Sequence, residues 1–359
     1  MTQDRERRPT LDTIAQRVGV SRATVSNAYN RPDQLSTALR ERIIATAKQL
    51  GYTGPDPVAR SLATKQAGSV AFMLCDGLSS AFSDPALSIM LDALASTVDN
   101  EERSLLLLPG ISEGGPSARS VTRVQTDVVV AYSLPDNAPA LDAVRERGLP
   151  LVVVDQPDVP ESAKVRVDDV GGAALAAQHV ASLGHRRVAI LAFGLSADGF
   201  RGPLDPQRLE TAHFRVSLDR IAGYLNALAE HGIVADAVPI WEAPGSVREL
   251  GREGARWLLG LDPRPTAVLC MSDELALGAI RAANELGLSV PSEVSIVGFD
   301  DTPAASWSDP PLTTVRQDLV AKGRQAGELA LRMLNGARPG KPVTIDVELQ
   351  VRGSTAPVV

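Results

Sequence analysis

The sequence predicts an α/β protein in two parts, a short helical segment at the N-terminus followed by two lobes of parallel sheet flanked by helices. Three observations carry this. From about residue 69 onward, continuous apolar runs alternate with amphipathic segments, as parallel strands covered on both faces require. The first 66 residues hold no such runs and show helical spacing only. Charge divides at the same place. Residues 1–66 carry eleven Lys/Arg against six Asp/Glu, a net of +5, while the remainder carries −12 within a chain total of −7.

A length of 359 residues allows two or three domains, each with a sizeable core. With 44% hydrophobic and 22% charged residues the composition excludes a wholly disordered chain. No stretch approaches about 20 uncharged apolar residues, so no membrane span is expected. The start, MTQDRERRPT, has charges without an apolar run behind them, so no secretory signal is read there and a cytoplasmic address is expected. Cys75 and Cys270 each sit in an apolar run without a near partner and read as buried reduced thiols.

In the basic segment, Leu11, Ile14, Ala15 and Val18 fall at helical spacing, with Thr10 as N-cap and Asp12 in the favourable first turn. Gly19 stops that helix and Ser21 caps a second, Arg22 to Tyr29, which makes a helix-turn-helix. Ser36 or Thr37 starts a third helix whose inner face is Leu39, Ile43, Ala47 and Leu50 and which Gly51 ends. On the second helix Val25, Ala28 and Tyr29 turn inward, leaving Arg22, Ala23, Ser26 and Asn27 outward. Arg22 suits bidentate bonding to guanine, Asn27 suits adenine or phosphate, and Ala23 is small enough to touch a thymine methyl. On these residues alone the helix is equally a solvated face of an ordinary bundle. Next, Pro57–Lys65 is a two-turn helix candidate without a core of its own, which orders only against a partner.

Thr10–Asn30 (TLDTIAQRVGVSRATVSNAYN), Leu50-Gly51-Tyr52 and Val58–Leu62 (VARSL) together resemble the LacI/GalR family of bacterial transcriptional regulators. The resemblance implies that Arg22, Ala23 and Asn27 occupy major-groove reading positions on double-stranded operator DNA. Thr24, Ser26 and Asn30 match residues that contact phosphates or hold the turn, and Thr10, Leu11, Ser21 and Tyr52 belong to the same interface. Ala59 falls at a minor-groove contact, and Leu62 at the leucine that wedges into the central base step and kinks the DNA. Pro57 departs from the polar or basic residue of relatives, so no base contact is assigned to it.

The acidic body offers strand candidates at Ser69–Cys75, Ser104–Leu108, Asp127–Ala131, Leu151–Val154, Val188–Leu191, Ala267–Met271 and Val294–Val297. Amphipathic segments lie between them, among them Pro85–Val98, Gly172–Leu183, Ser217–His231 and Glu274–Leu286. The resemblance continues at Gly171–Val188, Ser272–Gly278, Val297–Asp301 and Pro310–Val315, nearly the whole chain. It implies a periplasmic-binding-protein-like fold, with a ligand between lobes joined by three crossovers. The expected domains are a DNA-binding head at 1–55, a hinge helix and linker at 56–67, and an effector-binding and dimerisation domain at 68–359. Its first lobe is expected at about 68–164 and 316–338, its second at about 165–315 and 339–356.

Polar residues follow several strands, where open sheets bind ligands. By match to the family, Asp155, Arg220, Ser272 and Asp300 fall at effector-contacting positions, with Arg220 read as opening a helix to His231. Ionised groups there suit a hydroxyl-rich ligand. Asp273 reads as an N-cap instead. Phe82 and Trp307, two of only 13 aromatic residues, are candidates to stack on a sugar or base, core packing being the equal alternative. Phe193–Val216 has little periodicity, and is expected to form a lid or wall at the cleft mouth.

No HExxH, GxSxG, CxxC, GxxxxGK[ST] or post-strand GxGxxG occurs, so no reaction, metal or cofactor is expected. The expected function is a ligand-responsive, sequence-specific DNA-binding regulator, a repressor released by a small-molecule effector. A carbohydrate is the first choice and a nucleoside or purine the second. The resemblance implies a homodimer on a pseudo-palindromic operator, joined near Pro85–Val98 and Leu319–Leu334. Val343–Val359 reads as a strand and tail without a tetramerising heptad repeat. The other reading is a cytoplasmic small-molecule-binding protein without DNA function, which the basic head and missing export signal disfavour.

Overall fold

The computed structural model describes residues 9–54, 66–111 and 114–358, in two units, Met1–Ala67 and Gly68–Val359. In the first unit, α1 (Leu11–Val18), α2 (Arg22–Asn30) and α3 (Thr37–Gln49) enclose a core of Ile14, Ala15, Val25, Ala28, Ile43 and Ala47. Each helix is started by a hydroxyl. Thr10, Ser21 and Ser36 accept from the backbone N–H of Thr13, Thr24 and Leu39 respectively. Each such cap stabilises its helix by about 0.5–2 kcal/mol. Gly19, at φ 77°, ends α1 in the left-handed conformation that leads into the turn. Arg42 on α3 donates to the Val18 carbonyl at 3.2 Å, and Arg40 to that of Ala28 at 3.4 Å, so α3 fastens the ends of both other helices. The expected hinge helix, with Ala59 and Leu62, lies outside the described residues.

The second unit holds two sheets. The first contains β1 (Ser69–Met73), β2 (Ser104–Leu108), β3 (Val128–Tyr132), β4 (Leu151–Val154), β5 (Ala163–Val167) and β12 (Val343–Ile345), all parallel, in the order β12-β5-β4-β3-β1-β2. The second contains β6 (Val188–Phe193), β7 (Gly202–Pro203), β8 (Ile240–Ala243), β9 (Ala267–Cys270), β10 (Ser295–Asp300), β11 (Thr313–Gln317) and β13 (Val347–Gln350). Its order is β13-β11-β10-β9-β6-β8-β7, parallel except at the two edges. The central strands β1, β4, β9 and β10 are buried throughout, as helices on both faces require.

Helices flank both sheets: α4 (Ser80–Ser83), α5 (Pro85–Asp99), α6 (Ala118–Arg123), α7 (Pro139–Glu146), α8 (Asp169–Ser182), α9 (Pro206–Glu210), α10 (Arg215–Glu230), α11 (Arg248–Leu259), α12 (Asp273–Glu285), α13 (Pro303–Trp307) and α14 (Leu319–Leu334). The chain passes from the first lobe to the second between β5 and α8, returns between β11 and α14, and passes again between β12 and β13. The last passage therefore lies at Asp346, whereas the sequence suggests 338/339. Pairing of Val343–Ile345 with β5 keeps the chain in the first sheet for that extra stretch. Helix α14 packs on α5 so closely that a Cβ on Gly323 would lie 2.0 Å from the Met90 carbonyl oxygen. No helix of the described residues is long and apolar enough to cross a membrane.

Candidate functional site

In the head, the capped α2 presents one face outward. Arg22 and Ala23 are exposed, and Asn27 and Ser26 are half-buried, while Val25 and Ala28 turn into the core. Arg22 has Asp12 for company at 3.9 Å, with both side chains more than 60% exposed, a contact too solvated to hold the guanidinium. Asn27 donates to Gln34 at 3.3 Å and Asn30 to Ser26 at 3.2 Å, while the Ser21 and Thr24 hydroxyls meet at 2.8 Å. Thr10 is occupied in a reciprocal capping box with Thr13. Leu11 and Tyr52 pack against the core, Tyr52 meeting Tyr29 edge-on at 5.9 Å. The arrangement is a capped helix with one polar outer face, suited to a major groove.

In the second unit a cleft opens where strands of both sheets end, enclosing about 970 Å³ that includes open solvent. Asp155, just beyond β4, and Ser133, just beyond β3, enter from the first lobe; Asp300 ends β10 in the second. All three have positive φ, at 65°, 47° and 115°, without being glycine. Such backbone is sparsely populated and gathers at functional sites. Ser133 donates to Asp155 Oδ2 at 3.2 Å. Asp155 Oδ1 lies 2.7 Å from the ammonium of Lys322 on α14, an ion pair without an aligned hydrogen bond. Lys322 also donates to Gln317 Oε1 at 3.1 Å, and Gln317 Nε2 donates to Asp300 Oδ1 at 2.6 Å. The cleft floor is thus a continuous polar chain from one lobe to the other. Burial pushes the Asp300 carboxyl well above the usual carboxylate range, against the pull of Arg220.

Arg220 lies in the second turn of α10, which begins at Arg215, and so does not open its helix. Its Nε donates to Asp169 Oδ1 at 2.8 Å, Nη1 donates to the Met271 carbonyl, and the guanidinium lies 3.5 Å from the Phe299 ring centre. Ser272 lines the cleft and is itself the N-cap of α12, accepting from Leu275 N–H and from the Ser246 hydroxyl at 2.7 Å. Asp273 is therefore not the cap. It is buried behind the cleft, accepting from the Thr302 N–H, the Thr302 hydroxyl and the Thr314 hydroxyl. Desolvation there raises its carboxyl to about 7.

Asp155, Arg220, Ser272 and Asp300 are brought together. Phe82 and Trp307 are not: they are 74% and 83% exposed on the short α4 and α13, and neither lines the cleft nor joins a core. Cys75 is half-buried and lines the cleft, so only Cys270 is a fully buried thiol. Lys322, Gln317, Asp169, Asp84 and Tyr132 are site groups that sequence reasoning misses. Of these only Asp84 leaves a local signal, an acid before Pro85 at a helix start, where it accepts from Ala86 and Leu87 N–H.

Phe193–Val216 is built rather than irregular, and contains β7 and α9. Arg208 donates to both oxygens of the wholly buried Glu242, at 2.7 and 2.9 Å, and to Asp198 at 3.0 Å. The ends of the segment line the cleft and reach the first lobe. Val216 N–H donates to Gln156 Oε1 at 2.8 Å, and Asp136 N–H to the His213 carbonyl at 3.2 Å. Among the described residues no group of three or more His, Cys, Asp or Glu could hold a metal ion.

Comparison with known proteins adds to this geometry. Residues 10–54 match the model of bacterial regulatory proteins of the lacI family, and 177–355 match a periplasmic binding protein-like domain. An HTH-type transcriptional regulator of Mycolicibacterium smegmatis is 40% identical over 362 aligned positions, covering 98% of this chain and 97% of that protein. The HTH-type transcriptional regulator IpsA of Corynebacterium glutamicum is 39% identical over 352, covering 97% of this chain and 98% of IpsA. The structure of the lac repressor dimer bound to operator and the anti-inducer ONPF superposes with a TM-score of 0.76 at 26% identity, covering 97% of this chain and 99% of that one. A CelR–cellobiose complex superposes at 0.68 and 27%, covering 97% and 100%. With a helix-turn-helix head, a two-sheet body and likeness over almost its whole length, this chain belongs to the lacI family of bacterial transcriptional regulators.

Proposed function

We propose that this DNA-binding regulator is a repressor that leaves its operator when a sugar fills the cleft of its second unit. The observation that carries the reading is the meeting of Asp155, Arg220, Ser272 and Asp300, from four separate elements, at the carboxyl ends of both sheets. A sugar offers hydroxyls that both donate to the carboxylates and accept from the guanidinium and serine. The cellobiose held by CelR, similar over nearly the whole chain, supports the same ligand class.

On the DNA side, Arg22, Ala23 and Asn27 would read base edges, with Thr10, Leu11, Ser21, Thr24, Ser26, Asn30 and Tyr52 positioning the head on phosphates. Ala59 and Leu62 keep the minor-groove roles that the resemblance assigns. A homodimer would set two heads on a pseudo-palindromic operator, one per half-site, as the dimeric state of the lac repressor neighbour suggests. Coupling between two sites is reciprocal, so operator must lower sugar affinity by the factor by which sugar lowers operator affinity. A thermal-shift screen of sugars and nucleosides, each hit then added to an operator-binding assay, tests this. A sugar that raises Tm and releases DNA supports it. A site that takes only nucleosides, or a sugar that binds without altering DNA affinity, contradicts it.

A further inference from the structure

Among the described residues two cations line the cleft, and each already has a carboxylate partner. Arg220 is held against Asp169 at 2.8 Å and Lys322 against Asp155 at 2.7 Å, each pair almost wholly buried. Three more carboxyl groups line the same space: Asp76 and Asp84 from the first lobe and Asp300 from the second. Among the described residues none of these three has a Lys, Arg or His within ion-pair distance. The charge of Asp84 adds to the rise of the Asp300 carboxyl across the cleft. Burial raises the carboxyls of all three, that of Asp300 well above its ordinary value. A lysine and an arginine in a sugar cleft would ordinarily suggest a phosphate or carboxylate ligand. Here the pairing decides otherwise, because each cation is already held by a carboxylate and the remaining titratable groups that line the cleft are acidic.

We infer that the cleft selects an uncharged polyhydroxylated ring and rejects its phosphorylated or carboxylated counterparts. This rests on the reading of the cleft as a sugar site. A neutral hydroxyl is both donor and acceptor, so it bonds to Asp84 and Asp300 whether those carboxyls are ionised or protonated. A phosphate or carboxylate on the same ring finds no free cation among the described residues, and every carboxyl that is ionised there adds like charge in a poorly solvated space. Lys322 and Asp155 together present a donor and an acceptor side by side, a pattern that adjoining hydroxyls satisfy and an anion does not.

Calorimetric titration of the intact protein with matched pairs tests the inference: ribose and ribose 5-phosphate, glucose and glucose 6-phosphate, glucose and glucuronate. Adenosine and cytidine complete the panel. We expect at least one neutral ring to bind, and its charged counterpart to bind about a hundredfold more weakly or not at all. Asp155→Asn, at a left-handed position that asparagine tolerates, frees the Lys322 charge and narrows that gap by about tenfold or more. The wild-type comparison stands without the variant. A charged counterpart that binds as tightly as the neutral ring overturns the inference and leaves the sugar reading intact. A nucleoside that binds where no sugar does overturns both, and so does a panel without any binding.

Discussion

Lys322 Nζ stands 2.7 Å from Asp155 Oδ1, with the two side chains 3% and 7% exposed. Lys322 comes from α14, the helix by which the chain re-enters the first lobe, and Asp155 from the end of β4 in that lobe. Two charges taken out of water at that depth stay there only as a pair. Removing one partner strands the other, which costs about 3–5 kcal/mol. We therefore expect Lys322→Met to lower the unfolding free energy of the second unit by about that amount in urea denaturation. Lys322→Met combined with Asp155→Asn should recover most of the loss, since no buried charge then remains at this site. A single-variant loss under about 1 kcal/mol would mean that the pair behaves as a solvated one.

Arg22 is exposed at the first position of α2 and held by nothing stronger than a 3.9 Å contact to Asp12. Replacement by alanine should leave the head folded. It should cost about 1–3 kcal/mol of operator affinity and relax base preference at one operator position. Binding-site selection with both proteins checks this. An equal loss on every sequence would assign Arg22 to a phosphate.

Asp273 is raised to about 7 by burial, against hydrogen bonds from Thr302 and Thr314 that favour its charged form. The folded state therefore holds this proton at a pH where the unfolded chain, near 3.8, has released it. The stabilising contribution is full below the unfolded value and is lost as pH rises through about 7. Asp273→Asn removes that dependence. Its Tm relative to the natural protein should improve between pH 5 and about pH 7 and level off above that, and a difference independent of pH would contradict the argument.

Glu242 is wholly buried and neutralised by Arg208, which ties Phe193–Val216 to the edge of the second sheet. Arg208→Ala leaves that carboxylate without its cation. Should the segment wall the cleft as proposed, sugar affinity falls at least tenfold, while operator binding without sugar is retained. Unchanged sugar affinity after deletion of 198–212 would remove the wall role.

The α/β class, the helix-turn-helix and the central strands were legible because continuous apolar runs and cap residues are local signals. Strands β5, β8 and β11 were not, because AKVRV, IWEA and TTVRQ carry polar side chains that only the finished fold buries or uses. At the site, Asp155, Ser272 and Asp300 stood out as polar residues after apolar strands, a position with meaning in open sheets. Lys322 did not. A lysine in LVAKGRQAGEL reads as a solvated helix face, and its burial follows from Asp155, 167 positions earlier. Phe82 and Trp307 misled for the converse reason: a large aromatic suggests a stacking surface, but these two sit on short exposed helices.

The most direct test of the account is footprinting of the intact protein on the promoter of its own gene and the neighbouring DNA, with and without the sugar that binds it. We expect a protected stretch of two inverted half-sites, lost as the sugar saturates the cleft. No protection in either condition would contradict the claim that a polar recognition helix and a sugar cleft act as one regulator.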